Sequence, residues 1–431
     1  MQRDELDVPE ARPGTVSSPV SEPVVAPLPS AVVGADVHLV VDRAGYLDAV
    51  AAITNGRGPV AVDAERASGF RYSQRAYLIQ VHRVGAGTFL FDPPPIGSFT
   101  ELHDAISDEE WILHAASQDL ACLREVGLDP SRIFDTELAA RLLGLPRVGL
   151  ASVVEQLLGL HLAKEHSAAD WSVRPLPSSW LDYAALDVEL LPELRDRIAD
   201  LLDSSGKRDI AEQEFAAVLG RELPATRSEP WRRLSGVHTV KGARGLAVAR
   251  ELWTARDDFA REQDVSPGRL VPDASLVAAA RILPRSKREL AGLREFSGRA
   301  SRSELDRWWA AVERGLATED LPSARVQGDS VPPPRAWSDR NPEADLRLKG
   351  ARAAMTEVAE ELGMPLENLL TPETLRRIAW QPPASIDTET IRAALASLGA
   401  RTWQIEATAQ RISEAFVAAR QPAPAAEETG S

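Results

Sequence analysis

The stretch Pro59-Val60-Ala61-Val62-Asp63-Ala64-Glu65 constrains the fold more than any other part of the chain. β-Branched Val60 and Val62 lie in an apolar run after Gly58, which predicts a short buried strand that ends in two acids. Alternate side chains of an extended chain share a face, so Asp63 and Glu65 point the same way, about 7 Å apart along the backbone, and Ala64 points the other. Two carboxylates held together at neutral pH repel one another, and a divalent cation between them relieves that repulsion. Taken alone, the pattern equally describes a strand that ends in solvated acids. The rest of the chain decides between the two.

A length of 431 residues calls for several domains, and a hydrophobic share of 44% with 26% charged residues belongs to a globular chain rather than a fibrous or disordered one. No run approaches the ~20 apolar residues of a membrane span, and the N-terminus lacks a basic region followed by an apolar core. No membrane partner is therefore expected. The single cysteine, Cys122, excludes an internal disulfide and suits a reducing cytoplasm.

A net charge of −15 argues at first against a polyanionic partner. The charge is unevenly spread, however. Residues 36 to 205 hold 26 acids against 14 Lys and Arg, whereas 240 to 316 hold 11 acids against 15 bases. An acidic front and a basic later segment suggest metal-dependent chemistry in the first and polyanion holding in the second. The acidic surface also leaves room for a protein partner whose identity the sequence does not give.

Residues 1 to 35, rich in Pro, Ser, Val and Ala, are expected to form a disordered leader. A strand at 37 to 41 and a helix at 43 to 54 follow. The strand that carries Asp63, then 77 to 81 and 88 to 92, predict an antiparallel meander. Helix and strand then alternate: a strand at 111 to 115, a helix at 118 to 126, a strand at 132 to 136, a helix at 137 to 143. The fold class is a mixed α/β sheet flanked by helices. Helices dominate afterwards, at 150 to 158 and, as one long helix, at 179 to 202.

Two further positions in this segment carry chemistry. Asp119 follows the strand 111 to 115 closely, and ligands of α/β sheets gather at the carboxyl ends of parallel strands; it could equally cap the helix that starts there. Tyr183 and Asp187 are four apart, so on a helix they share a face.

Asp63-Ala64-Glu65, Asp119 within His114-Ala115-Ala116-Ser117-Gln118-Asp119-Leu120, and Tyr183-x-x-x-Asp187 together resemble the three exonuclease motifs of the DEDD superfamily, in its tyrosine variant. Tyr77-Leu78-Ile79-Gln80, Phe134-Asp135-Thr136, and Asp170-Trp171-Ser172-Val173-Arg174-Pro175-Leu176 ahead of Tyr183 are similar to the ribonuclease D family, in order and at suitable spacing over residues 36 to 205. The resemblance implies an RNase H-like 3′→5′ exonuclease domain. Asp63, Glu65, Asp119 and Asp187 would be its metal ligands, with Tyr183 the fifth catalytic residue. Hard oxygen ligands without Cys or His favour two divalent cations, Mg²⁺ or Mn²⁺.

Residues 206 to 239 are expected to be a helical linker. The region 240 to 318 resembles an HRDC domain, with Leu246, Ala249, Leu252, Trp253 and Phe259 as its core. Arg281, Arg285, Lys287 and Arg288 form a basic cluster around a helix break, suited either to phosphate contact or to a solvated helix end. A linker at 319 to 341 leads to a second HRDC-like helical domain at 342 to 418, in which Leu369 to Leu375 echoes Leu270 to Leu276. A disordered tail, 419 to 431, completes the chain. The fold class is thus an α/β exonuclease domain followed by two all-α HRDC-like domains. Lys164, Trp171 and Arg174 are candidates for shaping a nucleic-acid path, or else packing and ion-pair residues.

The family resemblance implies an exoribonuclease that acts on RNA 3′ ends, tRNA precursors among them, and releases nucleoside 5′-monophosphates in the cytoplasm. A DNA 3′ exonuclease and a catalytically silent RNA-binding adaptor are the alternatives. Nothing in the motifs themselves separates RNA from DNA, because no residue announces recognition of the 2′-hydroxyl.

Overall fold

The computed structural model describes residues 28 to 420 apart from 164, 165, 167, 222 to 228 and 324 to 330. Its first part is a six-stranded sheet: β1 (Val37–Val40), β2 (Arg57–Arg66), β3 (Ala76–Val84), β4 (Gly87–Phe91), β5 (Glu110–Leu113) and β6 (Arg132–Asp135). The spatial order is β1-β4-β3-β2-β5-β6. β2, β3 and β4 form the expected antiparallel meander, while β5 and β6 continue the sheet parallel to β2, and β1 lies parallel to β4 on the far edge.

This order explains why the strands read so apolar. Sandwiched between helices, β3 is buried along nearly its whole length, and Val60, Ala61, Val62, Trp111, Ile112 and Leu113 are all at most 1% exposed. Helix α1 (Arg43–Thr54) is N-capped by Asp42, whose carboxylate accepts the Gly45 N–H, and packs with its Tyr46, Val50 and Ile53 face inward. Because β2 and β5 run parallel, their carboxyl ends open on the same rim of the sheet. The site assembles on that rim.

Two expectations need correction. The helix expected at 179 to 202 is two helices, α3 (Ser178–Glu189) and α4 (Leu191–Ser204). Pro192 stands in the first turn of α4, where its missing N–H costs nothing, and the chain is free to turn at Leu190. Order also begins earlier than residue 36: the Ala31 N–H donates to the His161 carbonyl, the His161 N–H donates to the Pro29 carbonyl, and the Gly34 N–H donates to Glu189. Residues 1 to 27 and 421 to 431 lie outside the described residues.

Beyond α5 (Arg208–Leu219), a helical module is built on α6 (Gly242–Gln263), against which α7 (Asp273–Ile282) and α8 (Leu305–Ala317) pack. Its own core includes Trp231, Leu246, Leu252, Leu276 and Trp308, with Trp253 and Phe259 half-buried against them. A second helical region, with α9 (Pro342–Glu361), α10 (Pro372–Trp380), α11 (Thr388–Ser397) and α12 (Thr402–Ala418), shares one continuous core with the sheet domain. Arg401 clasps Glu214 of α5 through Nε at 2.6 Å and Nη2 at 2.5 Å, and the Trp403 indole N–H donates to the same carboxylate at 2.8 Å.

Candidate active site

The antiparallel register places Asp63 opposite Gln80 and Glu65 opposite Leu78, so both acids project from one face of β2 near its carboxyl end. Helix α3 crosses that face and packs on β2, β3 and β4. Its spacing brings Tyr183 and Asp187 down on the same side, close enough for the Asp187 charge to act on the Tyr183 phenol. One carboxylate oxygen each from Asp63, Glu65 and Asp187 lie within 4.8 Å of one another.

Asp119 arrives from the parallel neighbour. After β5, Ala115 turns left-handed (φ 64°) and a short 3₁₀ turn, Ala116–Gln118, replaces the first turn of the expected helix, which starts as α2 (Leu120–Glu125). Asp135, at the end of β6, fixes this turn: its carboxylate accepts the N–H groups of Ala115 and Ala116 and also those of Glu137 and Leu138. The Asp119 side chain makes no capping hydrogen bond. Instead it stands near enough to Asp63 for the two charges to act on one another, and its Oδ1 lies 3.9 Å from Arg66.

All five motif residues therefore line one cleft of about 530 Å³, together with Arg66, Ser68, Gly69, Phe70 and His114. Asp63 and Glu65 are half-buried, whereas Asp119 and Asp187 are 6% and 7% exposed. Burial raises all four carboxyls. Glu65 is pushed up to about 10, first by desolvation and then by the charges of Asp63, Asp187 and Asp119. Desolvation likewise leads for Asp63, Asp119 and Asp187; the charge of Asp63 adds to the last two. The Tyr183 phenol is raised as well, by desolvation and then by Asp187. His114, held by Thr136 at 2.9 Å, is lowered to about 4 by burial and stays neutral.

Four acids this close cannot all be ionised without a counter-charge, and Arg66 supplies only one. Their hard oxygen donors fit divalent cations. Gln80 points to the same conclusion: it is fully buried opposite Asp63, and neither its amide oxygen nor its nitrogen has a partner.

The other candidates separate. Arg174 is committed to structure, gripping Asp92 at 2.7 Å through two nitrogens and donating to the carbonyls of Tyr77 and Trp171. Trp171 is fully buried against Trp180 and offers no face to a nucleic acid, so that expectation is corrected to a packing role, whereas Arg174 takes the ion-pair role the sequence left open and stays exposed. Lys164 lies outside the described residues. The helix break expected near Arg281 is present: α7 ends at Ile282, Leu283 is left-handed, and a new helix starts at Lys287. Arg281, Arg285 and Arg288 are exposed, while Lys287 is paired with Asp306.

Motif reading passed over Arg66 and gave Asp135 no role. An Asp followed by Thr-Glu at the start of a helix carries an N-cap signal, so Asp135 was findable. A lone Arg after an acidic pair carries none.

Comparison with known proteins agrees with this geometry. Residues 38–203 match a family model described as a 3′-5′ exonuclease, 245–312 match the HRDC domain, and 330–416 match a 3′ to 5′ exonuclease C-terminal domain. Ribonuclease D of Pseudomonas paraeruginosa is 29% identical over 309 residues, covering 70% of this chain and 79% of that protein. A crystal structure of a protein from Bifidobacterium adolescentis superposes with a TM-score of 0.83 at 36% identity, covering 91% of this chain and all of the other. The crystal structure of Escherichia coli RNase D, an exoribonuclease involved in structured RNA processing, gives a TM-score of 0.64 at 26% identity, over 84% of this chain and 98% of that one. The ordered carboxylate motifs, the mixed sheet that gathers them and the helical modules behind place this chain in the ribonuclease D family of 3′→5′ exonucleases.

Proposed function

We propose that Asp63, Glu65, Asp119, Tyr183 and Asp187 form the active centre of a metal-dependent 3′→5′ exoribonuclease that shortens RNA from its 3′ end and releases nucleoside 5′-monophosphates. The observation that carries this reading is the convergence of four carboxylates and one phenol, from three separate elements, in a single cleft. Asp63, Glu65 and Asp187 would hold a first divalent cation, Mg²⁺ or Mn²⁺, and Asp119 with Asp63 would serve a second. The cations, when bound, make a nucleophilic water available at neutral pH and offset charge on the departing 3′ oxygen.

The chain's own groups do the positioning. Tyr183 lines the cleft beside Asp187, where its hydroxyl would orient the attacking water by hydrogen bonding. Arg66 lines the cleft 3.9 Å from Asp119 and brings a cationic group to an incoming phosphate among the acids. The exposed Arg281, Arg285 and Arg288 give the helical module phosphate-binding charge away from the cleft. tRNA precursors are the substrates we favour, and the buried, unpaired Cys122 accords with a cytoplasmic setting. Among the described residues no helix is long and apolar enough to cross a membrane.

Matched RNA and DNA single strands test the substrate class. Mononucleotide release from RNA at a rate at least tenfold above DNA is the expected result. Equal or faster release from DNA would overturn the ribonuclease reading and favour a DNA exonuclease.

A further inference from the structure

The helical module is joined to the exonuclease centre by more than its linker. Between β2 and β3 the chain makes a loop, 67 to 75, that starts directly after the acids, and its Ser68, Gly69 and Phe70 form part of the cleft wall. The opposite side of the loop is held by the end of α6 and the turn that follows. Asp264 closes α6 in a left-handed conformation (φ 45°), which glycine adopts freely and, among L-residues, asparagine and aspartate adopt most readily. That conformation presents its carboxylate to the sheet domain: Oδ1 accepts the Ser73 N–H at 2.9 Å, and Oδ2 accepts the Tyr77 hydroxyl at 3.2 Å and lies 3.8 Å from Arg75. Around it, the Tyr72 hydroxyl donates to Asp257 at 3.0 Å, and the Ser266 N–H donates to the Phe70 carbonyl at 2.9 Å. Arg269 donates to the Gly69 carbonyl at 2.8 Å and lies over the Phe70 ring at 4.1 Å from its centroid.

A loop of nine residues with few buried side chains does not hold one shape by itself. Here the fastening comes from residues about 185 to 200 positions later in the chain. We propose that Asp264 is a positioning residue of the exonuclease centre: it fixes the loop so that Ser68, Gly69 and Phe70 stand ready as the wall against which the 3′-terminal nucleotide settles. The helical module thereby sets the affinity of the cleft, a role separate from gripping RNA with its basic cluster.

The test rests on the exonuclease reading and is built to be separable from it. Asp264→Gly removes the carboxylate while tolerating the left-handed backbone, and Asp264→Asn keeps an acceptor and the same backbone preference. Tyr72→Phe removes a second fastening without touching Asp264. Each is assayed on an RNA trinucleotide and on a 20-nucleotide strand, with amide exchange followed over residues 68 to 75. Asp264→Gly is expected to raise KM about tenfold on both substrates, with kcat within about twofold of wild type and faster exchange in the loop. Tyr72→Phe is expected to shift KM and exchange in the same direction but less, and Asp264→Asn to stay close to wild type.

A KM rise confined to the 20-mer would overturn the proposal, because it would mean that the module only grips the strand. Unchanged exchange and KM in Asp264→Gly would overturn it too, as would an Asn variant as impaired as the Gly variant. If wild type cleaves neither RNA, the exonuclease reading fails, and exchange in the loop still decides whether Asp264 holds it.

Discussion

The Asp135 carboxylate at the end of β6 accepts the main-chain N–H groups of Ala115 and Ala116, at 3.0 and 2.9 Å, and so shapes the turn that delivers Asp119 to the cleft. It is almost wholly buried, and although desolvation pushes its carboxyl up to about 6, the N–H donors of Leu138, Ala115 and Ala116 oppose that rise. Asp135→Ala should therefore cost about 3 kcal/mol of stability in urea unfolding at pH 7, where the carboxylate is ionised. It should also lower kcat by more than tenfold, because the left-handed turn at Ala115 loses its brace. Asp135→Asn, which retains an acceptor, should lie between wild type and Ala on both measures.

Much of this site was legible in the sequence, for a physical reason. Period-2 alternation at 60 to 65 and the four-residue spacing from Tyr183 to Asp187 fix which side chains share a face, and the strand-helix alternation fixes which ends share a rim. What escaped depends on contacts distant in sequence. The hydrogen bonds that commit Arg174 to Asp92, 82 positions away, and the burial of Trp171 are invisible to local pattern. So is the clasp between Arg401 and Glu214, and so are the fastenings of the 67 to 75 loop. The break at Leu190 was signalled by Pro192, but the strong apolar period on either side reads through it.

Glu214 receives both nitrogens of Arg401 and the indole of Trp403, and it is 7% exposed. Removing the cation leaves a buried carboxylate with one remaining donor. Arg401→Ala should destabilise the protein by about 2–3 kcal/mol, with amide exchange rising first in α12 and α5 where the helical region meets the sheet domain. Differential scanning calorimetry with hydrogen exchange would check this. Loss of exchange protection confined to other elements would contradict it.

The acidic cluster gives stability a pH dependence of definite sign. Folded Glu65 holds its proton up to about 10, against an ordinary value of 4.5, and Asp63, Asp119 and Asp187 are displaced in the same direction. In metal-free protein the folded form thus binds these protons more tightly than the unfolded one. The cluster's contribution is most favourable below about pH 4, where both forms are protonated, and is lost as pH rises from there towards 10. Bound cations replace the protons, so Mn²⁺ should raise Tm, and by more at pH 8 than at pH 6. Thermal scans with and without EDTA would show it; a Tm rise equal at both pH values would count against carboxylate ligation.

Tyr183→Phe keeps the ring and removes the hydroxyl that lines the cleft beside Asp187. Calorimetric titration should find Mn²⁺ affinity within about threefold of wild type, since no metal ligand is removed, while kcat falls by about 10²-fold through loss of water orientation. A matching loss of metal affinity would make Tyr183 a support for Asp187 and not a partner of the water.

The central claim is that these carboxylates hold the cations that cut RNA from its 3′ end. The direct measurement is Mg²⁺- or Mn²⁺-dependent shortening of a 5′-labelled RNA carrying a tRNA-like 3′ trailer, with Asp63→Ala alongside. Stepwise loss of single nucleotides that stops in EDTA, and falls by at least 10³-fold in the variant, is the predicted result. Shortening that survives in Asp63→Ala, or RNA bound but uncut by wild type with either metal, would contradict it.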